Sequence, residues 1–262
     1  MVAAQKQASL PGTRPEGSRD ERESAARVRE MFTRITPRYD FLNHLLSFSL
    51  DRVWRRRTAN RFIEILRRPD GRVLDICCGT GDLAFALDRA RARVVGSSRV
   101  RQAIIGSDFV VPMLTRAREK SQVGRRATVF AAADALHLPF ADATFDLVTT
   151  AFGFRNLANY EQGLREIARV LKRGGEVGVL EFSEPGSGPL AGVFRFYFRR
   201  VLPLIGGIIS GNREAYTYLP SSVSKFPSAA ELVALMERTG FSNVRVASWN
   251  FGSVLLHSAR RS

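Results

Sequence analysis

Cysteine, histidine and tryptophan are all scarce in this chain: 262 residues hold two cysteines, three histidines and two tryptophans. Cys77 and Cys78 are adjacent and have no partners elsewhere, which excludes a disulfide framework and a cysteine-based metal site. They read as small apolar fillers. No His/Cys/Asp cluster stands out at metal-ligand spacing, so no metal is expected. Long apolar runs are missing as well. Val201 to Ile209, the longest stretch of apolar residues and glycine, is about half of the roughly 20 residues needed to cross a bilayer. Residues 1–23 mix Gln, Ser, Pro, Gly, Arg and Glu without apolar periodicity and lack the apolar core of a secretory signal, so they are expected to form a disordered, solvated tail. The length suits one sizeable α/β core over residues 24–262. A cytoplasmic protein is the expectation.

Acidic residues are the scarcer charge, 25 against 40 Lys plus Arg, for a net charge of +15. The basic residues come in runs, among them Arg52, Arg55, Arg56 and Arg57, then Arg89, Arg91 and Arg93, then Arg195, Arg199 and Arg200. Such runs suit an anionic partner, a nucleic acid or an acidic lipid surface, and equally suit arginine-rich solvated helix faces.

What is present is concentrated in Val73-Leu74-Asp75-Ile76-Cys77-Cys78-Gly79-Thr80-Gly81-Asp82-Leu83, an apolar strand running through an acid into a Gly-x-Gly turn that opens a helix. Gly79 and Gly81 let the backbone turn sharply and approach a ligand, while the helix starting near Asp82 aims free amides at the same spot. Taken alone, Gly-x-Gly-x-x-Ala is a dinucleotide fingerprint. Asp75 argues otherwise, because a carboxylate there repels a pyrophosphate but suits the ammonium and sulfonium of S-adenosylmethionine.

From residue 72 the patterns alternate. Strands are expected at 72–77, 103–107, 128–132, 146–151 and 175–182, with helices at 82–91, 111–120 and 159–172, which implies a parallel sheet covered on both faces. A helical cap over 24–70 precedes them. An insertion over 184–226 follows, then a helix at about 228–239 and a hairpin of Val244–Trp249 with Val254–Ala259. A seven-stranded, mostly parallel sheet ending in a hairpin is the class I methyltransferase form of the Rossmann-like fold rather than the dehydrogenase form. Two strands compete for the second position, Arg93–Ser98 and Ala103–Asp108. Only the latter ends in an acid, which makes 91–102 an extra loop and Asp108 the candidate for the ribose hydroxyls. Asp134, with Ala135, follows the third strand, where an adenine edge would lie. Three acids at the carboxyl ends of successive strands mark the edge where such sheets bind ligands.

These residues resemble the ubiquinone/menaquinone biosynthesis C-methyltransferases over essentially residues 26–257. The resemblance is carried by Arg38-Tyr39-Asp40, Cys78-Gly79-Thr80-Gly81-Asp82-Leu83, Phe152-Gly153-Phe154-Arg155-Asn156, Leu180-Glu181-Phe182-Ser183 and Tyr216-Thr217-Tyr218-Leu219-Pro220-Ser221-Ser222. It implies transfer of a methyl group from S-adenosylmethionine to a ring carbon of a polyprenylated quinol, naphthoquinol or benzoquinol, with Thr80, Asp108, Asp134 and Ala135 at cofactor positions. Ala151 stands where the family often has serine.

A ring carbon attacks the sulfonium methyl well only when an adjacent hydroxyl, with an ordinary pKa of about 10, is helped toward phenolate. Arg155 and Asn156, directly beyond the fourth strand, are the candidates to hold that oxygen. Tyr39, Asp40 and His257 are secondary candidates for closing the site or passing a proton. A nucleic-acid methyltransferase is disfavoured because no Asn-Pro-Pro-aromatic segment is present, and a non-catalytic quinone- or lipid-binding scaffold is disfavoured by the cofactor acids. Residues 189–210, which interleave aromatic and aliphatic residues with three arginines, are the candidate contact for an anionic membrane surface. Packing on the domain's own core or at a homo-oligomer interface fits that segment nearly as well.

Overall fold

A computed structural model describes residues 12–15, 17–95, 102–124, 126–184, 192, 196–201 and 213–262. The β1–β5 strands are Val73–Ile76, Ile104–Asp108, Thr128–Ala132, Phe145–Ala151 and Leu171–Phe182, and β6 and β7 are Phe241–Trp249 and Val254–Arg261. They form one seven-stranded sheet in the order β3-β2-β1-β4-β5-β7-β6, in which β1 to β5 are mutually parallel and β7 alone runs antiparallel to its neighbours. The order reverses at β1, so the carboxyl ends of β1, β2 and β4 flank the crevice where ligands bind in sheets of this kind.

Alternating side chains bury both faces. Leu74, Ile76, Val148 and Val179 pack against Leu164 and Ile167 of α7 (Tyr160–Val170) and Leu232 and Leu235 of α9 (Ala229–Arg238). Val73, Ile104 and Leu147 face Leu83, Leu87 and Ala90 of α5 (Asp82–Val95) together with Phe62 and Leu66. Ser228 caps α9 in a reciprocal pair with Glu231, which explains its abrupt start. Helix α6 (Val111–Val123) lies beside β2 and β3.

The cap contains α1 (Glu21–Ile35), α2 (Tyr39–Leu46), α3 (Leu50–Arg61) and α4 (Ile63–Leu66). Met31, Ile35, Leu42 and Leu46 share a core with Val223 of α8 (Arg213–Ser224), so the cap closes on the far end of the chain rather than standing alone.

Three expectations need correction. The helix placed at 82–91 continues to Val95, which removes 91–95 from the extra loop and the strand Arg93–Ser98 from contention, while residues 96–101 lie outside the described residues. The apolar side chains of this stretch continue the helical spacing, and Arg91, counted in a basic run, is fully buried and donates to Gly71 O and Gln102 O, each at 2.7 Å. Strand β5 starts at Leu171 rather than 175, directly after α7, and β6 starts at Phe241 rather than 244. The solvated tail does not extend to residue 23: α1 starts at Glu21, and Thr13 is buried, its N–H donating to Leu157 O at 2.7 Å. A Cβ on Gly12 would come within 2.1 Å of the Ala158 backbone, so this contact is open to glycine alone. Of the membrane-contact segment 189–210, only 192 and 196–201 are described.

Candidate functional site

The glycine turn owes its shape to three left-handed residues, Cys77 at φ 50°, Gly79 at 53° and Gly81 at 86°. It is tied to β2 by Cys78 N–H donating to Ser107 O at 3.0 Å and by Gly79 N–H donating to Asp108 Oδ2 at 2.8 Å. The other oxygen of Asp108 accepts from Val110 N–H at 2.8 Å. Burial raises the Asp108 pKa, and these backbone donors oppose the rise.

A cleft with a cavity volume of about 60 Å³ opens above this turn. Gly79, Asp108, Asp134 and Ala135 line it from the sheet, Tyr39 and Asn156 from the cap and the β4 exit, and Ala25, Val28 and Phe32 from α1. Asp134 Oδ1 accepts from Leu136 N–H at 2.9 Å, which fixes the carboxyl in a turn at the cavity wall. A buried carboxylate at Asp108, a half-exposed one at Asp134, a close-approach backbone turn and apolar walls at Val110, Met113 and Leu136 form a set of groups that fits S-adenosylmethionine.

Four candidate residues lie elsewhere. Asp75 is buried beneath the turn, accepts from Thr149 Oγ1 at 2.8 Å and from Ala84 N–H, and is not among the lining residues. Burial pushes its pKa up to about 7, against the Thr149 hydrogen bond. Its carboxyl secures the start of α5. Thr80 is buried, its hydroxyl donating to Asp40 Oδ1 and accepting from Lys120 Nζ at 3.2 Å. Gly81 packs against Phe85 and Phe130, where a Cβ would meet ring carbons at 3.0 Å. Arg155 is buried outside the lining, donating from Nη1 to Phe152 O at 2.6 Å and to Glu181 Oε2 at 2.8 Å. Burial opposes its charge, yet the Glu181 carboxylate overrides that and holds its pKa above the usual range. A guanidinium neutralised this way is not the free cation expected for a substrate oxygen.

Asn156 lines the cleft. Its Oδ1 accepts from Tyr218 OH at 3.0 Å, which leaves the amide NH₂ for the cavity. Tyr218 in turn meets Thr13 Oγ1 at 3.1 Å, so the amino-terminal strap, α8 and Asn156 form one chain of hydrogen bonds. Tyr39 is a wall residue whose phenol is pushed up by burial and stays protonated. His257 lies mid-strand in β7, buried, with burial lowering its pKa to about 4, and is absent from the cavity lining.

Sequence reasoning missed Thr13, the α1 residues of the cavity and the Asp40–Lys120–Asp82 network, where Lys120 Nζ lies 2.9 Å and 2.7 Å from the two carboxylates. No local pattern announces contacts that join segments 40 to 80 residues apart. The fold also brings His44, Asp51 and Asp82 together, their ligand-type atoms within 4.8 Å of one another. Arg55 pairs with both of those acids and Lys120 with Asp82, so the trio is already neutralised by cations.

The sheet order, the glycine turn and the cleft at the switch point define a class I methyltransferase fold. Solved structures share it: a SAM-dependent methyltransferase from Thermotoga maritima matches at TM-score 0.56 and 18% identity, covering 89% of this chain and 99% of that one. Phosphoethanolamine N-methyltransferase 2 of Haemonchus contortus, in complex with S-adenosyl-L-methionine, matches at TM-score 0.52 and 18% identity, covering 77% and 52%.

Residues 19–261 match the ubiE/COQ5 methyltransferase family, to which the chain belongs. Relatives include the demethylmenaquinone methyltransferases of Thermus thermophilus, 48% identical over 88% of this chain and 100% of the relative, and Deinococcus radiodurans, 47% identical over 89% and 92%. The ubiquinone/menaquinone biosynthesis C-methyltransferase of Geobacter sulfurreducens is 43% identical over 91% and 90%.

Proposed function

We propose that this chain methylates a ring carbon of a polyprenylated quinol, converting demethylmenaquinol to menaquinol, with the ubiquinone-pathway benzoquinol as a second acceptor of the same class. One observation carries the reading: a single cleft joins the glycine turn and Asp108 on one side to an apolar wall from α1 and the Asn156 amide on the other. S-adenosylmethionine, when bound, supplies an already activated methyl, so the protein's task is mainly to position the acceptor.

Asp108 accepts from the ribose hydroxyls, Asp134 and Ala135 border the adenine, and the Gly79–Gly81 turn accommodates the methionine part. Thr80 and Asp75 hold that turn from behind. Asn156 donates to the ring oxygen next to the carbon that is methylated and favours its ionised form, whose charge passes into the ring as the carbon attacks, and Tyr39 closes the cleft over the ring. Arg155 acts as a positioning residue through Glu181. The prenyl chain makes the substrate lipid-borne, so the protein works in transient contact with the anionic inner face of the membrane. No helix among the described residues is long and apolar enough to cross it.

Mass spectrometry of quinones from cells with and without the gene tests the reading. Loss of the methylated quinone with build-up of its demethyl precursor is expected, and an unchanged quinone profile refutes it.

A further inference from the structure

Helix α2 turns three faces to three surroundings. Leu42 and Leu46 are buried in the cap core, and Tyr39 lines the cofactor cleft. Asp40 and His44 border an open groove of about 720 Å³ bounded by residues of α2, α3, α5 and α6. The third face is apolar and open: Phe41 is 60% exposed, Leu45 42%, and Phe48, just beyond the helix, 75%. Their i, i+4, i+7 spacing makes one stripe. Phe196, 63% exposed, lies next to Tyr197, whose ring sits 5.8 Å from that of Phe48. A helix that buries one apolar face ordinarily shows water a polar one, and a contiguous exposed apolar patch marks an interaction surface.

The outward position of Phe48 is built in. Phe48 at φ 51° and Ser49 at φ 59° are consecutive non-glycine residues in the left-handed region, held there by Ser49 N–H donating to His44 O at 2.7 Å. Such residues are strained, and strain of this kind clusters at functional positions. Tyr197 OH donates to Leu46 O at 2.8 Å, bracing the same corner.

The groove beside the stripe is cationic. Six of its lining residues are Arg or Lys against three acids. Arg55 and Lys120 are paired with Asp51, Asp82 and Asp40, and Arg116 lies 3.8 Å from Glu119. Arg52, Arg89 and Arg126 have no carboxylate within ion-pair distance among the described residues. Burial and the neighbouring Arg126 charge hold Arg89 below its usual range, against the opposing pull of Asp82 and Asp88.

We propose that this face of α2 and the adjoining groove dock the protein on an anionic lipid bilayer, with Phe41, Leu45 and Phe48 entering the acyl boundary and Arg52, Arg89 and Arg126 meeting lipid phosphates. Docking in this way sets the Tyr39 wall of the cleft one helix diameter, about 10 Å, from the hydrocarbon. The inference rests on the reading that the acceptor is lipid-borne. An acidic bilayer attracts each basic side chain near its surface, and apolar insertion supplies the rest.

The test is sedimentation with phosphatidylglycerol/phosphatidylcholine vesicles, alongside methylation of a tail-less demethylnaphthoquinol in solution and of a polyprenyl demethylmenaquinol in the same vesicles. The wild type should pellet at low salt and be released at high salt. Phe41→Ser/Phe48→Ser and, separately, Arg89→Gln/Arg126→Gln should each weaken vesicle binding at least about tenfold and lower turnover on the vesicle-borne acceptor, with the soluble acceptor and thermal unfolding unchanged. Wild-type binding by both variants overturns the proposal, as does a wild type that ignores anionic vesicles. Light scattering that shows the phenylalanine variant losing a dimer while still binding vesicles reassigns the stripe to self-association. Protection of the groove by inorganic phosphate without vesicle binding reassigns it to a soluble anion. Failure to methylate the soluble quinol counts against the proposed function, whereas the vesicle assay alone judges the docking face.

Discussion

Glu181 holds Arg155 twice: one carboxylate oxygen accepts the Arg155 backbone N–H at 3.0 Å and the other accepts its guanidinium at 2.8 Å. The clasp joins the turn after β4 to the end of β5 and so fixes where Asn156 stands. Removing one partner strands a buried charge, so Glu181→Gln and Arg155→Met should each cost about 3–5 kcal/mol in urea unfolding. The double variant Arg155→Met/Glu181→Leu should lose far less than the sum of the singles. Strict additivity of the two losses would show that the clasp is not a coupled unit.

In the proposed function the Tyr218–Asn156 hydrogen bond orients an amide toward the acceptor rather than the cofactor. Tyr218→Phe should lower kcat roughly tenfold, the worth of one well-placed hydrogen bond. Asn156→Ala should lower it about a hundredfold. Titration calorimetry should find S-adenosylmethionine affinity nearly unchanged in both. A variant with normal turnover and weakened cofactor binding contradicts the assignment.

Asp108 is the buried carboxylate of the cleft and, in the proposed function, the acceptor for the cofactor ribose. Asp108→Ala should weaken S-adenosylmethionine binding by about 1–3 kcal/mol, the usual loss for hydrogen bonds to a charged group. Unchanged affinity by calorimetry would remove Asp108 from the cofactor site.

The carboxyl end of the sheet was readable from the sequence because its signals are local: a glycine turn, an acid ending β2, and Phe-Gly-Phe-Arg-Asn after β4. Asp108, Asp134 and Asn156 met on one cleft because each follows a strand whose place in the parallel sheet was legible. That Asp75 sits beneath the turn is a matter of pleat that no local pattern fixes, since one residue's shift along a strand exchanges the cavity for the underside of the turn. The Arg155–Glu181 pair is not legible in the sequence because the two residues are 26 apart and no pattern in the intervening chain joins them. The strap at Gly12–Arg14 carries no periodicity at all, and its order comes from tertiary contacts to Leu157 and Ala158.

Asp75 should leave a pH signature on stability. Its folded pKa of about 7 lies above the model-peptide value of 3.8, so between those limits the folded state holds a proton that the unfolded chain has lost. Its contribution is therefore complete below about pH 4 and declines as pH rises toward 7. In Asp75→Asn that decline is absent, so the melting-temperature difference, variant minus wild type, should grow between about pH 4 and 7 and then level off. Parallel melting curves across that range would show that Asp75 ionises normally in the fold.

The central claim is methyl transfer to a quinol ring carbon, and one measurement meets it directly. Purified protein is incubated with methyl-labelled S-adenosylmethionine and reduced demethylmenaquinol, and the product is analysed by mass spectrometry with fragmentation. The account predicts one labelled methyl on the quinone ring, dependent on the reduced acceptor and greatly diminished in Asn156→Ala. Label on oxygen, or no label on the quinol while S-adenosylmethionine binds normally, would contradict it.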